Sequence, residues 1–534
     1  MRPVTLLLAL TASVLAHPSQ LAPKDSATSP SASSGTFTNP VVYEDFADND
    51  VSLGPDGKYY FSASNMHYSP GAPILRSSDL TNWELIGHSV PSLNSAPKYN
   101  MTNGETGYTG GTWASTMRYR KSNGLWYWIG CIDFWNTYIY TASAVTGPWT
   151  LSSTIYATCY YDCGLLIDDD DTMYVVHGNT NVNMSQLSPD GFSEARSQQI
   201  ITTPSGYSGV EGNRLYKRDG FYYVLDDAPS DGATFIWKSS SLWGNWTSKL
   251  LIHNVASPVP GGGSPDQGSL VETSTGDWYF MSFTWAYPAG RMPILAPITW
   301  GSDGFPILTT VNGSWGTSYP NPLPASSTPS WLGTDTFPGT ALDVHWEWNH
   351  NPDSTKYSIN NGLTLSTATV TTDLTHARNT LTHRIHGPLP VGTVHIDFTN
   401  MADGDHTGLA AFRDNSSYIG ISRSDTTYTL EFVTGISQNS SANWATISNG
   451  TVSATKDLSG TKEVWLRTSI DAQASGTHLA EFYYSLDGTA FTQLGGSAEL
   501  VTGWQYFMGY RFAIFNYATK ALGGSVLVKS FTSA

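Results

Sequence analysis

The sequence predicts an all-β protein: a five-bladed β-propeller over residues 36–325, a linker at 326–333, and a jelly-roll β-sandwich over 334–534. Three observations carry that expectation. First, 13% of residues are charged and another 13% aromatic, with 19 Trp and 29 Tyr, and no long apolar stripe of helical period appears; such a chain folds as hairpins. Second, five aromatic strand anchors follow one another: Tyr59-Tyr60, Trp126-Tyr127, Tyr174, Tyr222-Tyr223 and Trp278-Tyr279. Most follow a turn, such as Pro55-Asp56-Gly57, Asn123-Gly124 or Asp219-Gly220. Third, the anchors are 47 to 67 residues apart, a period that suits four-stranded blades. From Thr334 strand alternation continues in Thr393–Phe398, Tyr428–Phe432 and Ala480–Tyr484 without that period, as in a sandwich.

Ahead of the first blade, Arg2, the apolar run Val4–Leu15 and a small-residue site ending at Ala16 read as a secretory signal over 1–16. Residues 17–35 are Ser/Pro/Ala-rich and read as disordered or trimmed. The expected product is secreted, extracellular and monomeric. Asn-x-Ser/Thr acceptors at Asn100, Asn183, Asn245, Asn312, Asn415, Asn439 and Asn449 suit that route. The formal net charge of −17 argues against nucleic acid or an anionic membrane as partner. Cys131, Cys159 and Cys163 cannot all pair within the chain, and their spacing does not say which two do.

The chemistry is concentrated where each blade begins. Glu211 stands between Gly209 and Gly212 at the entrance of a hairpin that turns at Asp219-Gly220. Asp48 precedes Tyr59 by eleven residues, Asp162 precedes Tyr174 by twelve, and Glu211 precedes Tyr222 by eleven. Gln267 precedes Trp278 by eleven and Trp113 precedes Trp126 by thirteen. Rotation about a propeller axis brings equivalent positions together, so three carboxyl groups, a Trp and a Gln are expected to meet at one pocket. Three acids gathered without a matching ring of cations suggest function. Two carboxyl groups across a pocket suffice for glycosidic cleavage: one protonates the leaving oxygen, and the other activates water or attacks. A third acid beside the proton donor keeps that donor protonated. The run Asp168–Asp171 reads as a solvated hairpin tip rather than a metal site.

With these residues in place the chain resembles glycoside hydrolase family 43, the arabinofuranosidases and β-xylosidases. Asn39-Pro40 leading to Phe46-Ala47-Asp48-Asn49-Asp50 resembles the family's first blade, with Asn49 departing from the usual Pro. Trp113-Ala114, the stretch Asp162 to Asp171, and Glu211-Gly212-Asn213 resemble its second, third and fourth blades. Gly290-Arg291-Met292 with Ala296 to Trp300 resembles its fifth. The resemblance implies Asp48 as general base, Glu211 as general acid, and Asp162 as the residue that tunes and orients the acid. It implies Phe46, Trp113, Gln267 and Arg291 as substrate-binding residues. No cofactor is required. The family often holds a central ion through a His in the fifth blade; Ser264 to Leu270 has none, so the metal ligands stay unknown, with room for a structural calcium or sodium at the axis. The closest overall likeness is to fungal enzymes that remove arabinose from doubly substituted xylose units, which implies arabinoxylan or its oligosaccharides as substrate and an inverting α-L-arabinofuranosidase as the activity. A β-xylosidase acting on xylo-oligosaccharides is the alternative. A retaining fructan hydrolase fits poorly around Ala47-Asp48-Asn49-Asp50 and Glu211-Gly212, and a non-catalytic sugar-binding propeller would not need all three acids.

Overall fold

The computed structural model describes residues 35–534; the leader at 1–16 and the segment 17–34 lie outside the described residues. Five four-stranded antiparallel sheets follow one another along the chain. Blade 1 comprises Asp50–Leu53, Tyr59–Ser62, Gly71–Ser77 and Trp83–Val90; blade 2, Thr116–Arg120, Leu125–Ile132, Asn136–Ala142 and Thr150–Ile155. Blade 3 comprises Gly164–Ile167, Met173–Asn179, Asn181–Leu187 and Glu194–Thr202; blade 4, Glu211–Arg218, Phe221–Ala228, Ala233–Ser239 and Thr247–His253. Blade 5 comprises Pro265–Glu272, Trp278–Trp285, Arg291–Trp300 and Pro306–Leu308. This is the expected five-bladed propeller. All five aromatic anchors fall on the second strand of their blade, where burial between neighbouring sheets stabilises large rings. A separate ribbon, Thr36–Thr38 against Ser318–Pro320, ties the start of the described chain to the end of the propeller.

The acidic run Asp168–Asp171 is a hairpin tip within blade 3. Its carboxylates are taken up by neighbouring blades. Arg120 of blade 2 donates to Asp171, and Lys217 of blade 4 donates to Asp168 and Asp169. Cys131 and Cys159 form the disulfide that spacing left open, and Cys163 is free and buried.

The C-terminal part is a sandwich of a nine-stranded and an eight-stranded sheet. Its core includes Val394, Ile396, Leu430, Phe432, Ala480 and Phe482, all buried. These are alternate residues of the three strands read from the sequence, found as Val391–Asp397, Thr427–Asn439 and Leu479–Ser485. The linker is not free: Ser326 donates through N and Oγ to Asp79 Oδ2 at 2.6 and 2.9 Å, and Gly333 already pairs with Ser533. Among the described residues no helix is long and apolar enough to cross a membrane.

Propeller and sandwich share one compact unit. Tyr68–Ser69, from the connection inside blade 1, forms the edge strand of the eight-stranded sandwich sheet by pairing with Trp348–Asn349. Beside that seam Glu347 of the sandwich is fully buried, bonded to Arg384 and Arg511, with His88 Nε2 of blade 1 at 2.7 Å. Burial pushes the Glu347 carboxyl up, but Arg384, Arg511 and His88 outweigh it and hold it well below the usual carboxylate range. Breaking such a pair strands a buried charge, so the two parts are held in register by electrostatics as well as by strand pairing. That register places sandwich residues over the propeller mouth.

Candidate active site

A cavity of about 750 Å³ opens at the end of the propeller where the innermost strands begin. Asp48, Trp113, Asp162, Glu211, Gln267 and Arg291, all expected from the sequence, line it together. Phe46 does not. Its ring is fully buried, packed 6.0 Å from Trp331 and beneath the Arg384 guanidinium at 4.3 Å. The expectation that it contacts substrate is therefore corrected: it is a core residue, packed in the propeller core with Val42, Val51 and Phe61.

Asp48 and Asp162 each sit two residues ahead of an innermost strand, and each adopts a left-handed backbone, φ 58° and 46°. Aspartate tolerates this conformation better than most residues, and such strain clusters at functional sites. Glu211 opens the innermost strand of blade 4. The residue after it must be glycine: Gly212 has φ 76°, and a Cβ there would lie 2.8 Å from the Gln267 side chain. Its amide donates to Asp162 Oδ2 at 3.2 Å, so the glycine next to one acid binds the carboxyl group of another.

Each carboxyl group has its own surroundings. Asp48 is buried, accepts from Ser64 Oγ at 2.6 Å, and pairs with Arg291 Nη1 at 2.8 Å from Oδ1 and 3.1 Å from Oδ2. Glu211 Oε2 accepts from Asn179 Nδ2 at 2.7 Å and from the Tyr161 hydroxyl at 3.2 Å. Burial holds the Glu211 carboxyl above its ordinary range; the Tyr161 hydrogen bond opposes this, the charge of Asp48 reinforces it, and Asn179 opposes it again. Asp162 is raised well above the carboxylate range, by burial first and then by the charges of Glu211 and Asp48. Both carboxyl groups are thus raised, that of Asp162 in part by the charge of Glu211.

Several wall residues escaped the sequence reading. Tyr161 precedes Asp162; burial and the charges of Asp162 and Glu211 keep its hydroxyl protonated and donating. Asp266 accepts from the Trp285 indole at 2.9 Å, and burial leads the causes that raise its carboxyl to about 7. The signal for Asp266 was present, because it precedes Trp278 by twelve residues, as Asp162 precedes Tyr174. Phe507 had no such signal. It comes from the sandwich, in a left-handed backbone (φ 64°), and its ring lies 4.8 Å from that of Trp113. Its carbonyl accepts from the Tyr287 hydroxyl at 2.9 Å and from Arg291 Nε at 3.0 Å.

Two buried donors in this wall, Gln267 Nε2 and Arg291 Nη2, have no hydrogen-bond partner. Buried polar groups are ordinarily paired, so these two are exceptions beside the cavity. The nearby Asp50 is structural: it is fully buried, and although burial pushes its carboxyl up, Arg118 and Arg214 hold it below the ordinary range.

The residues at the axis do not fit the central calcium or sodium ion. The carbonyls of Asp48, Asn49, Cys163 and Asn213 all accept from the fully buried Arg214 guanidinium, at 2.8 to 3.2 Å. A protein cation already satisfies the oxygens an ion would need.

Comparison with known proteins agrees with the geometry. The family model described as "Glycosyl hydrolases family 43" matches residues 37–306, and "Beta xylosidase C-terminal Concanavalin A-like domain" matches 334–532. A solved GH43 glycoside hydrolase, described as engineered to display both endo-xylanase and exo-arabinofuranosidase activity, is 41% identical, with a TM-score of 0.89 over 94% of this chain and 100% of that one. A β-xylosidase from Formosa agariphila is 25% identical over 93% of this chain and 90% of its own length. A non-reducing end α-L-arabinofuranosidase from Bacteroides ovatus is 26% identical over 61% of this chain and 63% of its own. With its propeller, its sandwich and its acid-lined cavity accounted for, the chain belongs to glycosyl hydrolase family 43.

Proposed function

We propose that this glycoside hydrolase is a secreted α-L-arabinofuranosidase that removes arabinofuranose side chains from arabinoxylan with inversion. The observation that carries the reading is the set of three carboxyl groups from blades 1, 3 and 4 that line one cavity, Asp48 and Asp162 buried and Glu211 half-buried. Glu211, whose carboxyl burial raises above its ordinary range, donates to the leaving oxygen. Asp48, paired with Arg291, takes a proton from the attacking water. Asp162 orients Glu211 through the Gly212 amide. Trp113 gives the sugar an apolar wall, and Gln267 Nε2 and Arg291 Nη2 bond to its hydroxyls.

The likeness to the solved enzyme with exo-arabinofuranosidase activity favours arabinose as the released sugar. The second reading, a β-xylosidase, is favoured by the curated β-xylosidase relatives that span most of the chain. Incubation with arabinoxylan and with xylobiose side by side separates them. Arabinose from the polymer with xylobiose intact supports the first; xylose from xylobiose with the polymer untouched overturns it.

A further inference from the structure

We infer that the rim of blade 2 is a binding surface for the polysaccharide main chain, an aromatic track leading outward from the cavity through Phe134, Trp135 and Tyr156. The inference rests on the proposed reading in that the cavity takes the sugar to be released.

The rim of the cavity is made where the second strand of each blade hands over to the third. In blades 1 and 5 the sandwich covers this level: Tyr68–Ser69 pairs with Trp348–Asn349, and Tyr287 donates to the carbonyl of Phe507. In blades 3 and 4 the connections are Thr180 and Pro229–Gly232, which carry no aromatic ring. Blade 2 differs. Its connection, Asp133-Phe134-Trp135, exposes Phe134 by 46% and Trp135 by 66%. The fourth strand of the blade ends at the same level, and the residue after it, Tyr156, is 77% exposed. Asn136 joins the two places, its Oδ1 accepting from Ala157 N at 2.8 Å. A single exposed ring needs no explanation, but three along one edge do.

The edge is also strained and fixed. Asp133 and Phe134 are successive left-handed residues, φ 61° and 56°, a conformation unfavourable for a bulky aromatic. It is held by the Asp133 carboxylate, which accepts from Ser95 Oγ at 3.0 Å, from the Tyr99 hydroxyl, and from Lys98 Nζ at 2.8 Å. Residues held in such conformations cluster at active sites and ligand clamps. The result is visible: the Phe134 ring lies 4.9 Å from Trp113 and 5.8 Å from Tyr161 and lines the cavity, while Trp135 stands just outside. The track is thus continuous with the site through Phe134.

The occupant is set by the chemistry. Flat aromatic faces with one polar edge suit rings that are apolar on their faces and hydroxylated at their edges. The net charge of −17 disfavours a polyanion. A neutral β-1,4-linked xylan main chain meets both conditions, and the side chain it carries is the sugar in the cavity. Asp133 is then a positioning residue, acting through the turn it holds.

The test compares Trp135→Ala, Tyr156→Ala and the double variant with the wild type. Both positions are exposed, so the variants keep the fold. Kinetics on arabinoxylan and on a small aryl α-L-arabinofuranoside are measured together with retardation in a gel containing debranched xylan. Each single variant should raise KM on the polymer by about 3- to 10-fold with kcat little changed. The ratio of polymer to aryl-glycoside kcat/KM should fall accordingly, and xylan retardation should be lost in the double variant. An unchanged polymer KM with unchanged retardation overturns the track while leaving the arabinofuranosidase reading intact. Loss of retardation in the variants of an enzyme that releases no arabinose supports the track and overturns that reading instead.

Discussion

Arg291 holds Asp48 through one terminal nitrogen, Nη1, 2.8 Å from Oδ1, and leaves the other, Nη2, buried and without a partner. One guanidinium thus pairs with the buried Asp48 carboxyl and keeps a second terminal nitrogen unpaired beside it. The main-chain carbonyl of Phe507 fixes its third nitrogen, so the sandwich sets the angle of the whole group.

Replacing Arg291 with Met should therefore do two things. It strands the Asp48 carboxylate, and breaking a buried pair of this kind costs about 3–5 kcal/mol. It also removes the charged donor in the wall, which should lower kcat/KM by about 10- to 100-fold. Thermal unfolding and arabinoside kinetics measure both. Full activity in a folded variant would mean that Arg291 does not meet the substrate.

Glu211→Gln keeps the shape of the acid and removes its proton. On natural arabinosides the rate should drop by at least ~100-fold. With an activated leaving group, which needs no protonation, the loss should be much smaller. Equal losses on both substrates would take the acid role away from Glu211.

The anomer first released should be inverted. Asp48 belongs to blade 1 and Glu211 to blade 4, so they approach the cavity from non-adjacent sheets. Room for a water between them corresponds to carboxyl groups roughly 6.5–9.5 Å apart, against about 5–5.5 Å for a double displacement. Proton NMR of the initial product decides this, and early appearance of the retained anomer would contradict the assignment of Asp48 as base.

Much of this site was legible in the sequence because a propeller converts spacing along the chain into rotation about an axis. Asp48, Trp113, Asp162, Glu211 and Gln267 were found by their distance from an aromatic anchor, and they meet at one cavity. Phe46 was carried over from a neighbouring match rather than from that spacing, and it is buried elsewhere. Spacing also had nothing to say about Phe507 or His478, which reach the cavity from the sandwich. Their approach depends on the seam at Tyr68–Ser69 and Trp348–Asn349, where Ser69 pairs with Trp348 and Tyr68 with Asn349, a pairing so distant along the chain that it leaves no local pattern.

Stability should depend on Asp226, which the catalytic scheme does not use. Its carboxyl is fully buried between blades 3 and 4 with neither oxygen hydrogen-bonded. Burial raises it well above the carboxylate range, with the Trp237 indole as a weaker opposing influence. The folded chain thus holds a proton that the unfolded chain releases above about pH 3.9. Stability from this group falls as pH rises from there towards the folded value. Asp226→Asn should remove that fall, so the variant gains on the wild type in denaturant midpoint between pH 5 and 8. A constant difference across the range would show that the carboxyl is not neutral in the folded protein.

Asp162→Asn separates tuning from proton transfer. The amide of Gly212, next in the chain to Glu211, donates to Asp162, and like charge between the two carboxyl groups keeps the last proton of the pair bound to higher pH. The alkaline limb of the pH–rate profile reports loss of that proton, and the acid limb reports Asp48 as base. With Asn at 162 the repulsion on the Glu211 carboxylate is gone, so Glu211 loses its proton more easily. The alkaline limb should then move to lower pH while the acid limb shifts less. Turnover at the optimum should also fall, because Asn holds the Gly212 amide more weakly than a carboxylate does, and a misplaced acid reacts slowly. If Asp162 only closed the turn before Cys163-Gly164, the variant would lose stability and nothing else. Its surviving activity would keep the wild-type profile. The discriminating measurement is a full pH–rate curve on folded Asp162→Asn protein, and an unmoved alkaline limb with near-normal turnover would remove Asp162 from the catalytic set.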